Sequence, residues 1–269
     1  MSFSKRVDEA RKAFKAKDKE HSAAAHTPES IAHAVHEDHG GTGSMYLGDL
    51  VYGGLDGIIT TFAVVSGVAG AELGSGIILI MGLANLLADG FSMATGAYIS
   101  VKSEQEYYEK EYQRELWEIE ELPEGERLEL YEIYRQQGYT EEEAEQLTEI
   151  KTRTKERWVD AMMIDELGML KDEKNPVHSG LATLVAFLVA GVMPLLVYLI
   201  GLIFPAVLPS AFKISIALSG LSLFGIGAAK VLVTQENPYK SGFEMLLVGG
   251  LAAGVAYSVG MLLKGMGIG

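Results

Sequence analysis

The stretch DLVYGGLDGIITTFAVVSGV, residues 49–68, is mostly apolar and makes up most of a segment that is long enough to span a membrane as a helix. Two aspartates interrupt it: Asp49 stands at its start and Asp56 seven residues later. A carboxylate at bilayer depth costs about 2.5–3.5 kcal/mol even on insertion scales, and ionisable residues in spans mostly have a function. The stretch therefore predicts a membrane helix whose acidic side chains handle a cation or a proton.

Charge is distributed unevenly along the 269 residues, whose net charge is −14. Residues 102–177 hold 23 acidic and 11 basic side chains, whereas residues 1–48 hold 7 of each. This pattern predicts a membrane part interrupted by an acidic insert. The chain has no cysteine, which excludes disulfides and thiolate metal sites. The first 20 residues are charged and lack an apolar core, so we expect no cleavable signal peptide.

Further apolar segments predict an all-α protein with five transmembrane helices, since each segment is long enough to cross about 30 Å of hydrocarbon. Of the 22 basic residues, 18 lie in residues 1–48 and 102–177, which two spans separate and which must therefore share one side. The positive-inside rule predicts that this side is the cytoplasm and that the C-terminus lies outside. The five segments are 47–70, 74–100, 179–204, 210–234 and 242–263.

The insert is predicted to form three cytoplasmic helices. The first continues the second span to residue 121, the second begins near Pro123 and ends before Gly138, and Thr140 with Glu143 forms a capping box that opens a third, longer helix. The predicted core residues of this bundle are Trp117, Leu128, Tyr131, Leu147, Ile150 and Trp158. The predicted domains are a polar tail (1–45), spans 1 and 2 (46–101), the insert (102–177) and spans 3 to 5 (178–269).

Polar side chains recur along one face of each of the first two spans. Asp49 and Asp56 lie seven residues apart and so point in nearly the same direction. In the second span, Asn85, Asp89 and Met93 follow at intervals of four and continue a stripe that begins at Met81. Carboxylate, amide and thioether groups together suit a divalent transition metal. The alternatives are an interfacial helix cap for Asp49, a protonated structural role for Asp56, and ordinary packing for the methionines.

Glutamates recur at helical spacing in the insert, where like charges three or four residues apart destabilise a helix unless a cation binds them. Such pairs are Glu111 with Glu115, Glu115 with Glu118, and Glu126 with Glu129; Met162 and Glu166 lie one turn apart further on. The alternative is a solvated acidic surface. In the tail, His21, His26, His33, His36 and His39 form either a metal-binding tract or a polar tail without function.

Three motifs together resemble the vacuolar iron transporter family, whose members export ferrous iron or manganese from the cytosol. The resemblance covers residues 46–263 and includes the acidic insert after the second of five spans. The motifs are GGLDGIITTFAVVSGVAGA (53–71), LANLLADGFSMATGAYISVKSEQEYY (83–108) and RWVDAMMIDELGM (157–169).

The resemblance implies a homodimer with a metal path between its subunits and protons moving in the opposite direction. Asp56 and Met93 match the path residues of the family, and Asp49 lies at the cytoplasmic mouth. Asn85 replaces a glutamate of the plant members, and Asp89 supplies a carboxylate one turn later, so either the ionisable group has moved along the span or the proton coupling differs. The cytoplasmic metal ligands of the family fall on Glu115, Glu118, Glu126, Glu129, Met162 and Glu166.

The first functional hypothesis is therefore an Fe²⁺ or Mn²⁺ transporter, not an enzyme, with no permanently bound cofactor and no nucleic-acid partner. Zn²⁺ or Co²⁺ are further candidates for the insert. The expected location is the inner membrane of a prokaryote, with a vacuolar membrane as the alternative. A second hypothesis is a membrane-anchored metal buffer or sensor, which would have no use for Asp56. A membrane ferroxidase is disfavoured, because residues 102–177 contain no histidine for a Glu-x-x-His pair.

Overall fold

The computed structural model describes residues 12–24, 27, 45–230 and 237–267, with only the backbone of His21 and Ala24. Within these residues all regular elements are helical, as predicted. The other tail histidines lie outside the described residues. The described α-helices are α1 (Lys19–Ala24), α2 (Leu47–Gly70), α3 (Ser75–Glu121), α4 (Pro123–Gln136), α5 (Glu141–Lys151), α6 (Lys155–Ala161), α7 (Pro176–Gly191), α8 (Leu196–Gly201), α9 (Ala211–Ala229) and α10 (Pro238–Gly265).

The chain divides into two compact units. The membrane unit comprises Met1–Ala97 and Val177–Gly269, and the insert unit comprises Tyr98–Pro176. Five helical segments among the described residues are long and apolar enough to cross a membrane, which confirms the five-span prediction. These segments are Leu47–Gly70, Ser75–Glu121, Pro176–Gly201, Pro205–Ala229 and Pro238–Gly265.

The third span is broken near its middle, a feature that was not predicted from the sequence. A 3₁₀ turn at Met193–Leu195 separates α7 from α8. Pro194 causes the break, because proline has no N–H to donate and its ring clashes with the preceding turn. The hydroxyl of Ser215 on α9 donates a hydrogen bond of 2.7 Å to the Pro194 carbonyl oxygen, so the neighbouring span satisfies part of the disturbed backbone.

Glycines of α2 allow close packing within the membrane unit. A Cβ on Gly57 would overlap the backbone carbonyl of Phe187 in α7, and a Cβ on Gly70 would overlap that of Tyr257 in α10. Small residues at such contacts let helix backbones approach, which is the usual means of association in lipid. Thus α2 packs between the third and fifth spans and is the central helix of this unit.

The insert unit contains one more helix than predicted. The second helix has the expected bounds, and Gly138 follows it with a φ of +99°. The predicted capping box is present at Thr140, but α5 ends at Lys151 and is shorter than α4, so the prediction of a long third helix is wrong. The Thr154 side chain accepts a hydrogen bond from the N–H of Arg157 and starts α6 instead. Threonine competes with helical backbone bonds, which explains the interruption.

The predicted core of the insert is half wrong. Trp117, Leu128 and Ile150 are 46–59% exposed, whereas Tyr131, Leu147 and Trp158 pack against the core as expected. The buried face of each helix contains a glutamate, so apolar character alone does not identify that face. Glu115 precedes the buried Ile119 by one turn on α3, and Glu126 precedes the buried Leu130 by one turn on α4. The buried core residues are Ile119, Leu130, Tyr134, Ala144, Val159, Ala161, Met162 and Met163.

Candidate metal centre

Five glutamates converge in the insert unit and form two overlapping triads. In each triad, one carboxylate oxygen from every residue lies within 4.8 Å of those of the other two. Glu126 belongs to both triads and links them. The residues come from α3, from α4 and from the turn after α6, so segments far apart in the sequence meet at one place. The triads are Glu115, Glu118 and Glu126, and Glu126, Glu129 and Glu166.

Two of these carboxylates are buried with oxygens that accept no hydrogen bond. Glu115 is 1% exposed, and neither of its carboxylate oxygens has a hydrogen-bond partner. Glu126 is 6% exposed, and its Oε2 also has no partner. Burying an ionised carboxylate is costly unless an opposite charge or hydrogen bonds compensate. A divalent cation between these oxygens would supply that compensation.

Burial and mutual repulsion raise the pKa values of the cluster. Burial, followed by the charge of Glu166, raises the pKa of Glu115 to about 7, although Arg114 partly opposes the shift. Burial, followed by the charge of Glu115, raises the pKa of Glu126 to about 7. The pKa of Glu166 is also raised, by burial first and by Glu129 second. Protons would therefore compete with a metal bound by these carboxylates near neutral pH.

Arg114 lies at the edge of the cluster and contacts three glutamates. Its Nε donates to Glu111 over 2.8 Å and its Nη1 donates to Glu118 over 2.5 Å. Its Nη2 lies 2.6 Å from Oε1 of Glu115, an ion pair without hydrogen-bond geometry. Arg114 was not among the predicted site residues, although its spacing of three from Glu111 and four from Glu118 favours ion pairs on a helix.

A π-helical turn at Met162–Glu166 follows α6, and it too was not predicted. The N–H of Leu167 donates to the carbonyl of Met162 over 3.1 Å, which closes the wider turn. Such turns often occur at functional sites. Met162 is fully buried in the hydrophobic core, while Glu166 from the same turn joins the second triad. The hydroxyl of Tyr134 donates to Asp165 over 3.2 Å and helps to hold the turn.

In the membrane unit, the charge of Asp89 on α3 acts on the carboxylate of Asp56 on α2. Asp56 is partly buried, and its backbone carbonyl accepts a hydrogen bond of 2.8 Å from the Thr60 hydroxyl. Each of these two aspartates belongs to one of the polar stripes predicted for the first two spans. Met93 is partly buried against the hydrophobic core of the membrane unit, so packing accounts for some of its surroundings.

Two other predicted path residues have buried polar atoms without partners. They are Oδ2 of Asp49 and Nδ2 of Asn85. Asp49 lies in the first turn of α2, where the helix dipole favours a carboxylate, but the residue at the helix N-cap is Tyr46. Met81, at the other end of the stripe on α3, is 48% exposed.

Most of the chain matches a known protein family. The sequence model described as the VIT family matches residues 47–261, which include both the spans and the insert. The chain belongs to the VIT family. The resemblance inferred from the three sequence motifs is thereby confirmed. Members of the VIT family are transporters and not enzymes, which also confirms the expectation that this chain is not an enzyme.

Relatives within the VIT family match over most of their length. A vacuolar iron transporter of Toxoplasma gondii is 38% identical, with 96% of this chain and 88% of the relative covered. A vacuolar iron transporter of Plasmodium falciparum is 32% identical, with 97% of each chain covered. Vacuolar iron transporter 1 of Arabidopsis thaliana is 32% identical, with 80% of this chain and 85% of the relative covered.

Proposed function

We propose that this protein exports Fe²⁺ or Mn²⁺ from the cytosol across a membrane in exchange for protons. Membership of the VIT family supports metal-ion transport, and the relatives described above are named vacuolar iron transporters. The observation that carries the proposal is the pair of Asp56 and Asp89, two carboxylates that interact inside the membrane unit. Carboxylates inside neighbouring spans are costly unless a cation or a proton compensates their charge.

The proposed path runs along the first two spans of each protomer in a homodimer. Its mouth is Asp49, whose unpartnered Oδ2 can receive a cation. Carboxylate and amide oxygens favour hard divalent cations, and the thioether of Met93 favours softer transition metals. Exposed apolar side chains of α3, such as Ile80 at 71% and Phe91 at 63%, are compatible with contact to lipid or to a second subunit. The proposed path residues are Asp49, Asp56, Asn85, Asp89 and Met93.

The glutamate cluster is proposed to capture metal before transport. Its five carboxylates offer the oxygen ligands that Fe²⁺ and Mn²⁺ accept, and Zn²⁺ or Co²⁺ would bind there as well. Capture on the cytoplasmic side requires that the insert and the N-terminus face the cytosol, as the distribution of Lys and Arg favours. The proposed ligands are Glu115, Glu118, Glu126, Glu129, Met162 and Glu166.

The protein is a multi-pass membrane protein, and two membranes are candidates for its location. The sequence favoured the inner membrane of a prokaryote, whereas the names of the relatives agree with a vacuolar membrane. The biochemical proposal is the same for both, because in each case metal leaves the cytosol and protons enter it.

Metal flux in proteoliposomes tests the proposal. The purified full-length protein is reconstituted, Fe²⁺ or Mn²⁺ is added outside, and metal uptake and lumenal pH are recorded together. A transporter coupled to protons accumulates metal and makes the lumen more alkaline as protons leave. A membrane-anchored buffer binds metal on the surface and shows neither change. Metal uptake without a change in lumenal pH would retain transport and exclude exchange for protons.

A further inference from the structure

Arg114 gives the glutamate cluster a cation of its own. One guanidinium contacts Glu111, Glu115 and Glu118, and two of these residues form the first triad with Glu126. The Arg114 side chain is 41% exposed, whereas that of Glu115 is 1% exposed. The guanidinium therefore approaches the buried carboxylate from the solvent side of the cluster.

The contacts of Arg114 are unequal. It donates hydrogen bonds to Glu111 and Glu118, but it meets Glu115 only as an ion pair, and both oxygens of Glu115 remain without a hydrogen bond. A buried carboxylate whose two oxygens accept no hydrogen bond points to a ligand that is a stronger partner than the guanidinium. A divalent cation has twice the charge and can bind two or three of the carboxylate oxygens at once.

We propose that Arg114 is a built-in counter-ion that offsets part of the negative charge of the cluster when metal is absent and that an incoming divalent cation displaces it from Glu115 and Glu118. This inference rests on the proposed metal binding by the cluster. Two cations cannot share the same carboxylate oxygens without repulsion, so metal binding includes the cost of moving the guanidinium. Arg114 thereby lowers the metal affinity of the cluster and eases release of the metal toward the transport path.

Glu111 has a separate role in this exchange. It belongs to neither triad, and its Oε2 accepts a hydrogen bond from Nε of Arg114, the atom of the guanidinium nearest the backbone. Arg114 can therefore leave Glu115 and Glu118 and keep its bond to Glu111. Glu111, one turn before Glu115, thus holds the displaced Arg114. Removal of the Glu111 carboxylate should therefore disfavour the metal-bound state.

Mn²⁺ binding to the purified full-length protein tests the proposal, with the Arg114→Gln and Glu111→Gln variants beside wild type. The cluster component of binding is the part lost when all five cluster glutamates are replaced by glutamine. Arg114→Gln should tighten this component about tenfold, because the competing cation is gone. Glu111→Gln should weaken it several-fold. The matched control is Arg153→Gln, which removes an exposed arginine that pairs with Glu149 on α5.

Thermal unfolding supplies a second measurement. Arg114→Gln should lower the midpoint of the metal-free protein, because uncompensated carboxylates remain, yet it should not lower the midpoint in saturating Mn²⁺. An arginine that only braces α3 would lower both midpoints. Equal or weaker Mn²⁺ binding by Arg114→Gln would overturn the displacement proposal alone. Wild-type binding that survives replacement of the five glutamates would overturn the metal site and, with it, the role of Arg114.

Discussion

A carboxylate oxygen of Glu115 on α3 lies within 4.8 Å of one from Glu126 on α4, and both side chains are buried. The helices α3 and α4 of the insert unit thus bring two buried carboxylates close together. Like charges at such a distance and with little water around them oppose folding. The insert accepts this cost in its metal-free state, which favours a site built for a ligand over a chance acidic surface.

The first prediction concerns the effect of pH on the metal-free protein. The pKa values of Glu115 and Glu126 are raised from 4.5 to about 7 in the folded state, so folding takes up protons between these values. The contribution of these two groups to the stability of the insert unit should therefore be greatest below pH 4.5. It should be lost as the pH rises through 7. Hydrogen exchange of the insert amides in full-length protein, measured from pH 5 to 8 and corrected for intrinsic rates, should show protection falling as pH rises.

A double Glu115→Gln and Glu126→Gln variant provides the comparison, since it cannot take up these protons and should show a flatter dependence. Glu132→Gln, which changes an exposed residue of α4, should behave like wild type. Protection that rises with pH in the wild type would contradict the direction given by the raised pKa values.

The second prediction concerns metal and the five cluster glutamates. Replacing Glu115, Glu118, Glu126, Glu129 and Glu166 with glutamine should stabilise the metal-free insert by about 1 kcal/mol or more, because several like-charge contacts are lost. The same change should abolish stabilisation by added Mn²⁺, which in wild type should follow RT ln(1 + [L]/Kd). Calorimetry of the full-length protein with and without metal measures both effects.

A control variant with five exposed glutamates replaced would keep the net charge of the quintuple variant. Suitable positions are Glu121, Glu132, Glu142, Glu145 and Glu149. The control should retain the response to Mn²⁺. An equal response of wild type and the cluster variant would mean that the cluster is a solvated surface, which is the alternative that the sequence left open.

The sequence predicted those features that depend on local patterns. Five apolar segments predicted five spans, Pro123 marked the start of α4, and Thr140 with Glu143 predicted the cap of α5, because each signal acts within a few residues. The convergence of five glutamates was implied by family resemblance, and the structure does bring these residues together. Spacing alone gave only pairs on single helices, since it contains no information on which helices meet.

The errors arose where burial and polarity disagree. The apolar character of Trp117 and Leu128 predicts a core position for both. Glu115 and Glu126 instead lie on the buried faces of α3 and α4, and Trp117 and Leu128 are exposed. A residue two positions along a helix points about 200° away, so a buried glutamate leaves its second neighbour exposed. The π-helical turn at Met162–Glu166 had no sequence signal that distinguishes it from an α-helical turn.

The third prediction tests the packing of the membrane unit. Gly57→Val should destabilise the protein by about 1–3 kcal/mol, because its Cβ would overlap the carbonyl of Phe187 and the backbones of α2 and α7 would have to separate. Thermal unfolding in detergent measures the change. The control is Gly250→Ala in α10, where an added Cβ meets no atom within 4 Å. Wild-type stability of Gly57→Val would contradict the close approach of these helices.

The fourth prediction concerns Asp56. Asp56→Asn preserves the size of the side chain and removes its charge, so it should reduce Fe²⁺ and Mn²⁺ uptake in proteoliposomes at least a hundredfold while the protein remains folded. Glu244→Gln makes the same charge change at an exposed position of α10 and should transport normally. Metal uptake by Asp56→Asn at the wild-type rate would show that the path does not pass this residue.

The last prediction separates metal binding from packing at Met93. This residue is partly buried against the core of the membrane unit, so packing alone would explain its presence. Met93→Leu keeps the apolar volume and removes the sulfur, and volume-conserving changes of this kind cost less than about 1.5 kcal/mol. If the thioether contacts the metal, the variant should fold normally and lose preference for Fe²⁺ over Mn²⁺, because thioethers favour the softer cation. Competition between the two metals during uptake in proteoliposomes measures this preference, and Met261→Leu, at a half-exposed position of α10, is the matched control. Unchanged competition with normal uptake would assign Met93 to packing, and the selectivity of the path would then depend on its carboxylates and on Asn85.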